Sequence, residues 1–442
     1  MAYHYQIKCF SELRNRFPIW DDLKSFLESR EGGSLIIKDS KTITNLCIIR
    51  YVKGVSDFDI PYVGWFRSVV WNTLDNMPVC VAPPKSIENT PDKYCDYAAD
   101  TLVSKEFVEG TMINAFKQTP DQSKVHIATR SLLNANGTFY SSVSFDNLFN
   151  DALKRMNIRC EDCFENPKND DTEYSTFASF VLQHPEHRIV KRIRTPNIKM
   201  VHTGVIMNDG TVKFNEGTLE WNTIHPELLI PEIDIPSTHG FRSLSSWVGD
   251  YLQERSCDYK GLVFQDRNGN RWRSLNTANV EVCNLRGNDV YCLQRFTRLR
   301  CENRVREYLI HYGEERLQFQ RMEQQVRNIT QQLFECYVST RITKEKNISE
   351  LKGLWRYRVN SLHNIYNNEL RLNGRFVTKA IVIQYMNNLP SKDLYYLLHN
   401  AEYPWMDTNS ATNTVENNEN RGVEHCCTLD NVSEVNDPEP HI

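Results

Sequence analysis

The sequence predicts an α+β protein: a domain of antiparallel strands over residues 1–285, a helical domain over 286–407, and a disordered acidic tail over 408–442. Three observations carry this. Short runs rich in branched and aromatic residues, separated by hairpin-type turns, fill roughly the first 280 residues. After Arg286-Gly287-Asn288 the apolar residues recur at steps of three and four, the period of an amphipathic helix. From Thr408 onward Asn, Glu, Ser, Thr and Asp dominate, and such a segment has too little apolar surface to offset the entropy of ordering.

Taken in order, Ser34-Leu-Ile-Ile-Lys38 and Asn45-Leu-Cys-Ile-Ile-Arg-Tyr51 have the composition of strands, as do Phe264 and its neighbours. Asn208-Asp-Gly210 and Asn268-Gly269-Asn270 are the dipeptide types that close hairpins. Between them, Phe145 to Met156 has helical spacing, with Leu148, Phe149, Ala152 and Leu153 on one side. Met322, Val326, Ile329, Leu333 and Tyr337 define a long amphipathic helix. Leu354, Val359, Leu362, Ile365 and Tyr366 predict another, and Ile381, Val382, Tyr385 and Met386 a third. The aromatic residues of this stretch are expected in its core rather than on a base-stacking surface. No internal repeat is evident.

Composition excludes several classes. The 442 residues are 40% hydrophobic and 24% charged, enough for two or three domains with cores of their own. No apolar run approaches the roughly 20 residues of a membrane helix. Met1-Ala-Tyr-His-Tyr-Gln-Ile-Lys8 lacks the apolar centre of a secretory signal, so an intracellular, cytoplasmic protein with no membrane partner is expected. Thirteen scattered cysteines argue for reduced thiols. Cys160-Glu-Asp-Cys163 has no second pair at zinc spacing, and Cys426-Cys427 lies in the polar tail, so no metal site is expected. The net charge of −4 is uneven. Arg271 to Arg358 holds 17 Lys/Arg against 10 Asp/Glu, and Thr408 to Ile442 one basic residue against seven acidic. The basic stretch suits a polyanionic partner, or is a solvated helix face.

Four segments carry the chemistry. The first is Trp65-Phe-Arg67-Ser68 with Val81-Ala-Pro-Pro-Lys85; the second is Lys105-Glu-Phe107-Val-Glu109-Gly110-Thr-Met-Ile, running on into Val125-His-Ile-Ala-Thr-Arg130. The third is Thr176-Phe-Ala-Ser-Phe-Val181-Leu-Gln-His184-Pro185-Glu-His187-Arg188-Ile-Val, and the fourth Lys260-Gly-Leu-Val-Phe-Gln-Asp with Arg271-Trp-Arg273. In this order, across residues 45–315, they resemble phage-type tRNA-repair RNA ligases of the covalent nucleotidyltransferase superfamily and their relatives in large DNA viruses. The resemblance implies a nucleotidyltransferase fold, an ATP-grasp-like ligase domain of antiparallel sheets, followed by a helical domain. In that family the lysine of a K-x-D/E-G motif attacks ATP. The resulting lysyl-AMP passes its AMP to a 5′-phosphate RNA end, and the strand is sealed with Mg²⁺.

By the same resemblance Arg67 and Lys85 would hold the triphosphate, Glu109 would keep the acidic place of the nucleophile motif, and Arg130 would lie near the nucleotide. Four positions depart from the pattern. Phe107 stands where the lysine nucleophile is expected, Val181 where a glutamate is, and Lys260 where an acidic residue is. Arg273 takes the place of the first lysine on the last strand, and alternation puts Leu275 at the second. A phenylalanine cannot attack phosphorus, and a pocket poor in carboxylates suits Mg²⁺ badly. His184 and His187 flank a turn and are expected to be satisfied there rather than to bind metal.

Several functions stay open at this point. The first is a ligase-like fold that has lost lysyl-AMP chemistry and binds ATP and RNA ends, tRNA or 5′-phosphate ends among them, in repair or ligation. Another is an active ligase whose nucleophile has moved to Lys260, paired with Glu109, or to Lys105, which an extended strand would put on one face with Phe107 and Glu109. Further alternatives are a cationic pocket of Arg67, Lys85, Arg130, Lys260 and Arg273 that holds phosphates unchanged, and a structural docking protein. Oligomeric state is not fixed by the sequence.

Overall fold

The computed structural model describes residues 4–39, 45–93, 102–118, 124–163, 172–215, 225–236 and 243–406. The acidic tail and Cys426-Cys427 lie outside the described residues. The chain divides into two compact units, one through Asn284 and one from Leu285. The protein is α+β, with antiparallel sheets in the first unit and helices in the second. No helix among the described residues is long and apolar enough to cross a membrane.

The first unit opens with β1 (His4–Ile7), α1 (Cys9–Arg16) and α2 (Trp20–Glu28). A four-stranded meander follows: β2 (Ile36–Asp39), β3 (Leu46–Arg50), β4 (Val69–Asn72) and β5 (Met77–Val81), paired in that order. Next come β6 (Ile87–Glu88), β7 (Val103–Glu106), β8 (Thr111–Gln118), β9 (His126–Ala128) and α3 (Phe145–Met156). The unit closes with β10 (Glu173–Gln183), β11 (Asn197–Met207), β12 (Val212–Asn215), α4 (Leu244–Gln253), β13 (Gly261–Gln265), β14 (Arg271–Leu275) and all but the last two residues of α5 (Thr277–Arg286).

Strands β1-β12-β11-β10-β8-β9 form a six-stranded sheet, and β6-β14-β13-β7 a second four-stranded one. One part of the six-stranded sheet, carrying Phe116, Phe177 and Phe214, shares an apolar core with Phe10, Leu23, Leu27 and Trp71 of the meander and the N-terminal helices. In the β6-β14-β13-β7 sheet, Leu262, Phe264 and Trp272 point to α4 and pack on Leu244, Trp247, Val248 and Leu252. Period-2 alternation therefore turns Lys105, Val263, Gln265, Arg271 and Arg273 to the opposite face.

The turns at Asn208-Asp-Gly210 and Asn268-Gly269-Asn270 join β11 to β12 and β13 to β14. Asp266 shapes the second by accepting the Asn268 and Asn270 N–H groups on one oxygen, at 2.9 and 2.8 Å. Helix α3 buries Leu148, Phe149, Ala152 and Leu153 and ends on Asn157 in the left-handed conformation, φ 56°. Two differences from the sequence expectation stand out. Three helices (α1, α2, α4) interrupt the strands and a fourth (α5) follows them, each too short for its period to stand clear of the strand-like composition around it. Residues 111–118 and 126–128 are separate strands, β8 and β9, paired antiparallel rather than continuous.

In the second unit α6 (Cys292–Cys301), α7 (Val305–His311), α8 (Arg316–Tyr337), α9 (Gly353–Ile365), α10 (Lys379–Asn387) and α11 (Ser391–Asn400) bury Phe296, Leu299, Val326, Leu333, Trp355, Leu362, Leu394 and Leu397. Much of the basic stretch is spent inside this unit. Glu315 accepts from Arg286 at 2.9 Å, from Arg295 at 2.8 Å and from the Tyr308 hydroxyl at 2.9 Å. Burial pushes the Glu315 carboxyl up, but Arg295 and Arg286 outweigh it and hold the group below its usual value. Arg298 pairs with Asp289, Arg300 with Glu323 and Arg304 with Glu307. Arg286 and Arg295 act first as internal braces, whereas the Arg304–Glu307 pair is exposed.

Candidate functional site

The site begins where β7 and β13 separate. The Phe107 N–H donates to the Gly261 carbonyl at 2.8 Å, so the strand pair closes at that point. Gly261 has φ +152°, and a Cβ there would lie 2.1 Å from the Ser274 carbonyl oxygen. The approach of β14 thus demands glycine after Lys260. Gly110, at φ +149°, meets the Leu182 carbonyl in the same way, at 2.3 Å, and lets β8 press against β10.

A small cleft with a cavity volume of about 40 Å³, open to solvent in part, lies between the β7-β13-β14 face and the six-stranded sheet. Phe107, Val108, Met112, Val181, Val201, Ile230 and Val263 give it apolar walls, and Lys105, Glu106, Gln265 and Arg271 supply the polar groups. Val181, the residue in the expected glutamate position, is a wall of this cleft. Phe107, in the expected lysine position, is another, and the Lys260 ammonium sits 4.4 Å from its ring centroid. The Arg271 guanidinium lies 5.8 Å from the same ring. Both cations meet the electron-rich face of one aromatic ring.

Glu109 is engaged differently from the expectation. It is buried, and one carboxylate oxygen accepts the backbone N–H groups of Val190 and Lys191 at 2.9 and 2.8 Å. The other accepts the Asn279 amide at 3.3 Å. Lys105, Phe107 and Glu109 do not share a face: β7 ends at Glu106, and the Val108 N–H folds back to the Glu106 carbonyl at 3.0 Å. That turn breaks the alternation, so Phe107 and Val108 both reach the cleft while Glu109 goes to the turn after β10. Glu109 and Lys260 both act on Cys283, whose thiol is pushed up to about 12, chiefly by burial.

The other expected cations gather around an aromatic pair. Tyr51 and Phe58 meet edge to face at 5.0 Å; Arg130 lies 5.2 Å from the Tyr51 centroid and Lys85 4.3 Å from that of Phe58. The Tyr51 N–H bonds the Phe66 carbonyl at 2.7 Å, tying this pair to the residue before Arg67. Arg273 faces Glu88, 2.7 Å away, across the short parallel pairing of β6 and β14, so that carboxylate offsets its charge.

The charges of Arg271 and Arg67 both act on His202, a residue the sequence did not single out. Its ring is buried, with Nε2 3.1 Å from the Val81 carbonyl and 3.0 Å from Ser179 Oγ. A carbonyl only accepts, and the Ser179 hydroxyl is directed at Asn114 Oδ1 at 2.7 Å, so the His202 proton resides on Nε2. Burial, then the charges of Arg271 and Arg67, depress its pKa to about 3. Asn114, Ser179 and His202 are direct neighbours across β8, β10 and β11 and form a neutral polar row beside the cleft. No local pattern marks this row, because only the register brings it together. Arg271 could have been found, since alternation in Arg271-Trp-Arg273 puts both arginines on one face.

Magnesium does not fit the cleft as built. The ion wants several hard oxygen ligands. Glu106 is the carboxylate among the lining residues, and Lys191 lies 3.9 Å from it. Among the described residues no group of three or more His, Cys, Asp or Glu side chains gathers as a metal site would need. The turn histidines are engaged elsewhere: His184 with Asp151 at 3.2 Å, and His187 with the Phe139 carbonyl at 2.8 Å. Cys160 and Cys163 are both raised by burial, Cys163 to about 12, and its thiol meets the Arg159 carbonyl at 3.5 Å. No protein-family model matches the chain, and no curated protein matches it.

Proposed function

We propose that the first unit is a nucleotidyltransferase-type domain, similar to RNA ligases, that binds a nucleotide or the 5′-phosphate end of an RNA without forming a lysyl-AMP. The carrying observation is Phe107. A ring with no nucleophilic atom occupies the motif's lysine position, lines an apolar cleft, and is faced by the cations of Lys260 and Arg271. Apolar walls suit a base, and guanidinium and ammonium groups suit phosphate oxygens. Lys85 and Arg130, gathered at the Tyr51–Phe58 pair, are further cations of the kind that suit phosphate. Glu109 is engaged in the protein's own backbone, and Glu106, the carboxylate of the cleft wall, has Lys191 3.9 Å away.

One observation favours a second reading. The Lys260 ammonium stands over the ring that replaces the nucleophile, so a relocated lysine would be close to the same space. A single assay separates the two. The full-length protein is incubated with α-labelled ATP and Mg²⁺ and run on a denaturing gel, while equilibrium ATP binding is measured with and without Mg²⁺. The proposal expects no covalent label, together with Mg²⁺-independent binding that Arg271→Ala weakens by about tenfold or more, since a hydrogen bond to a charged group contributes roughly 1.5–3 kcal/mol. A covalent label that disappears in Lys260→Ala but persists in Lys105→Ala would overturn it in favour of an active ligase.

A further inference from the structure

The connection between β10 and β11 carries a charge pattern the cleft does not use. From His187 to Asn208 the chain has no Asp or Glu, and Arg188, Lys191, Arg192 and Arg194 fall within eight residues. Its backbone is held just before Arg192. Glu109 grips the Val190 and Lys191 amides from below, and Arg188 Nε donates to the Val190 carbonyl at 2.9 Å. Lys191 reaches Glu106, a residue of the cleft wall, at 3.9 Å, so the connection borders the cleft at its Phe107 end. Arg192 and Arg194, by contrast, are exposed.

We infer that this braced connection is a docking track for the phosphate backbone of an RNA strand whose end enters the cleft, with Arg192 and Arg194 as its phosphate contacts. A buried carboxylate fixing the Val190 and Lys191 amides anchors the chain immediately before Arg192, which lowers the backbone entropy lost when the two guanidiniums bind. Guanidinium forks pair with phosphate oxygens in a bidentate way, whatever the base sequence. The preference for a polyanion rests on the charge pattern itself; the choice of RNA rests on the reading of the cleft above.

The test is binding of a fluorescently labelled, 5′-phosphorylated single-stranded RNA of about 20 nucleotides to the full-length protein across a salt series. Wild type is compared with Arg192→Gln/Arg194→Gln and, separately, Arg271→Ala, and ATP binding is measured alongside. Each phosphate contact on a single strand contributes about 0.7 to the slope of log K against log salt. Loss of two contacts should therefore reduce the slope by about 1.4 and weaken RNA binding roughly 25-fold at about 0.1 M salt, leaving ATP binding unchanged. An unchanged slope and affinity in the double variant would overturn the track; if Arg271→Ala still weakened RNA and ATP, the cleft reading would survive. Failure of the wild type to bind either ligand would overturn both. Salt-sensitive binding to phosphatidylserine vesicles through Arg192 and Arg194, with no RNA binding, would overturn the track in favour of a membrane surface.

Discussion

Glu109 offers the sharpest test, because the ligase pattern and the geometry give it different work. In the pattern its carboxylate serves the nucleotide; in the fold it caps the Val190 and Lys191 amides at 2.9 and 2.8 Å and meets the Asn279 amide at 3.3 Å. Glu109→Ala would orphan the two backbone donors. A buried donor without a partner costs about 1–3 kcal/mol. Val190 is buried and should bear that cost in full, whereas Lys191 is half-buried and water can replace part of its bond. The sum is about 2–4 kcal/mol, localised to the turn after β10. Hydrogen exchange read by mass spectrometry on peptides spanning residues 184–200 measures this directly. An opening cost lowered by about 2 kcal/mol speeds exchange roughly 30-fold at these amides. Glu109→Gln keeps an oxygen for the two N–H groups and should lose much less. ATP affinity should change little in either variant. Full protection in Glu109→Ala together with lost ATP binding would refute the bracing role and return the carboxylate to the ligand.

Two further outcomes follow from buried charge. His202 is held neutral in the fold, so the unfolded chain takes up a proton as pH falls below about 6.5 while the folded state resists until about 3. Its contribution to stability is complete above pH 6.5 and is lost as the pH falls. The stability gap between wild type and His202→Gln in denaturant unfolding should therefore shift by about 2 kcal/mol from pH 7 to pH 5, and a constant gap would contradict a neutral His202. In the second unit, Glu315→Gln would leave Arg286 and Arg295 without their shared carboxylate, a loss of about 3–5 kcal/mol. Calorimetry of the full chain, with hydrogen exchange across residues 285–406, checks this. The Glu315 pKa is lowered in the fold, so its contribution should hold above the ordinary carboxylate range and vanish as the pH drops through the lower folded value.

The candidate site was only partly legible in the sequence. Phe107, Val181, Lys105 and Lys260 could be singled out because motif spacing ties each to a neighbouring glycine or proline, and all four stand in or against the cleft wall. Arg273 was the natural choice on the last strand, yet Glu88 offsets it and Arg271 faces Phe107 instead. Which arginine of an alternating pair remains at the cleft depends on what arrives from β6, a segment some 180 residues earlier.

The sequence by itself determined what local physics controls. Asx-Gly pairs closed the two hairpins, the 3.6-residue period set α3 and the long α8, and a change of period marked the passage from strands to helices. Each depends on residues only a few positions apart. The tertiary structure decided where charge goes. Glu109 turned from the cleft to the backbone after β10, Arg286 and Arg295 converged on Glu315, and Arg273 met Glu88 across β6 and β14. These are pairings between groups distant in sequence, and a buried charge takes whichever partner repays its desolvation, which no local period can specify.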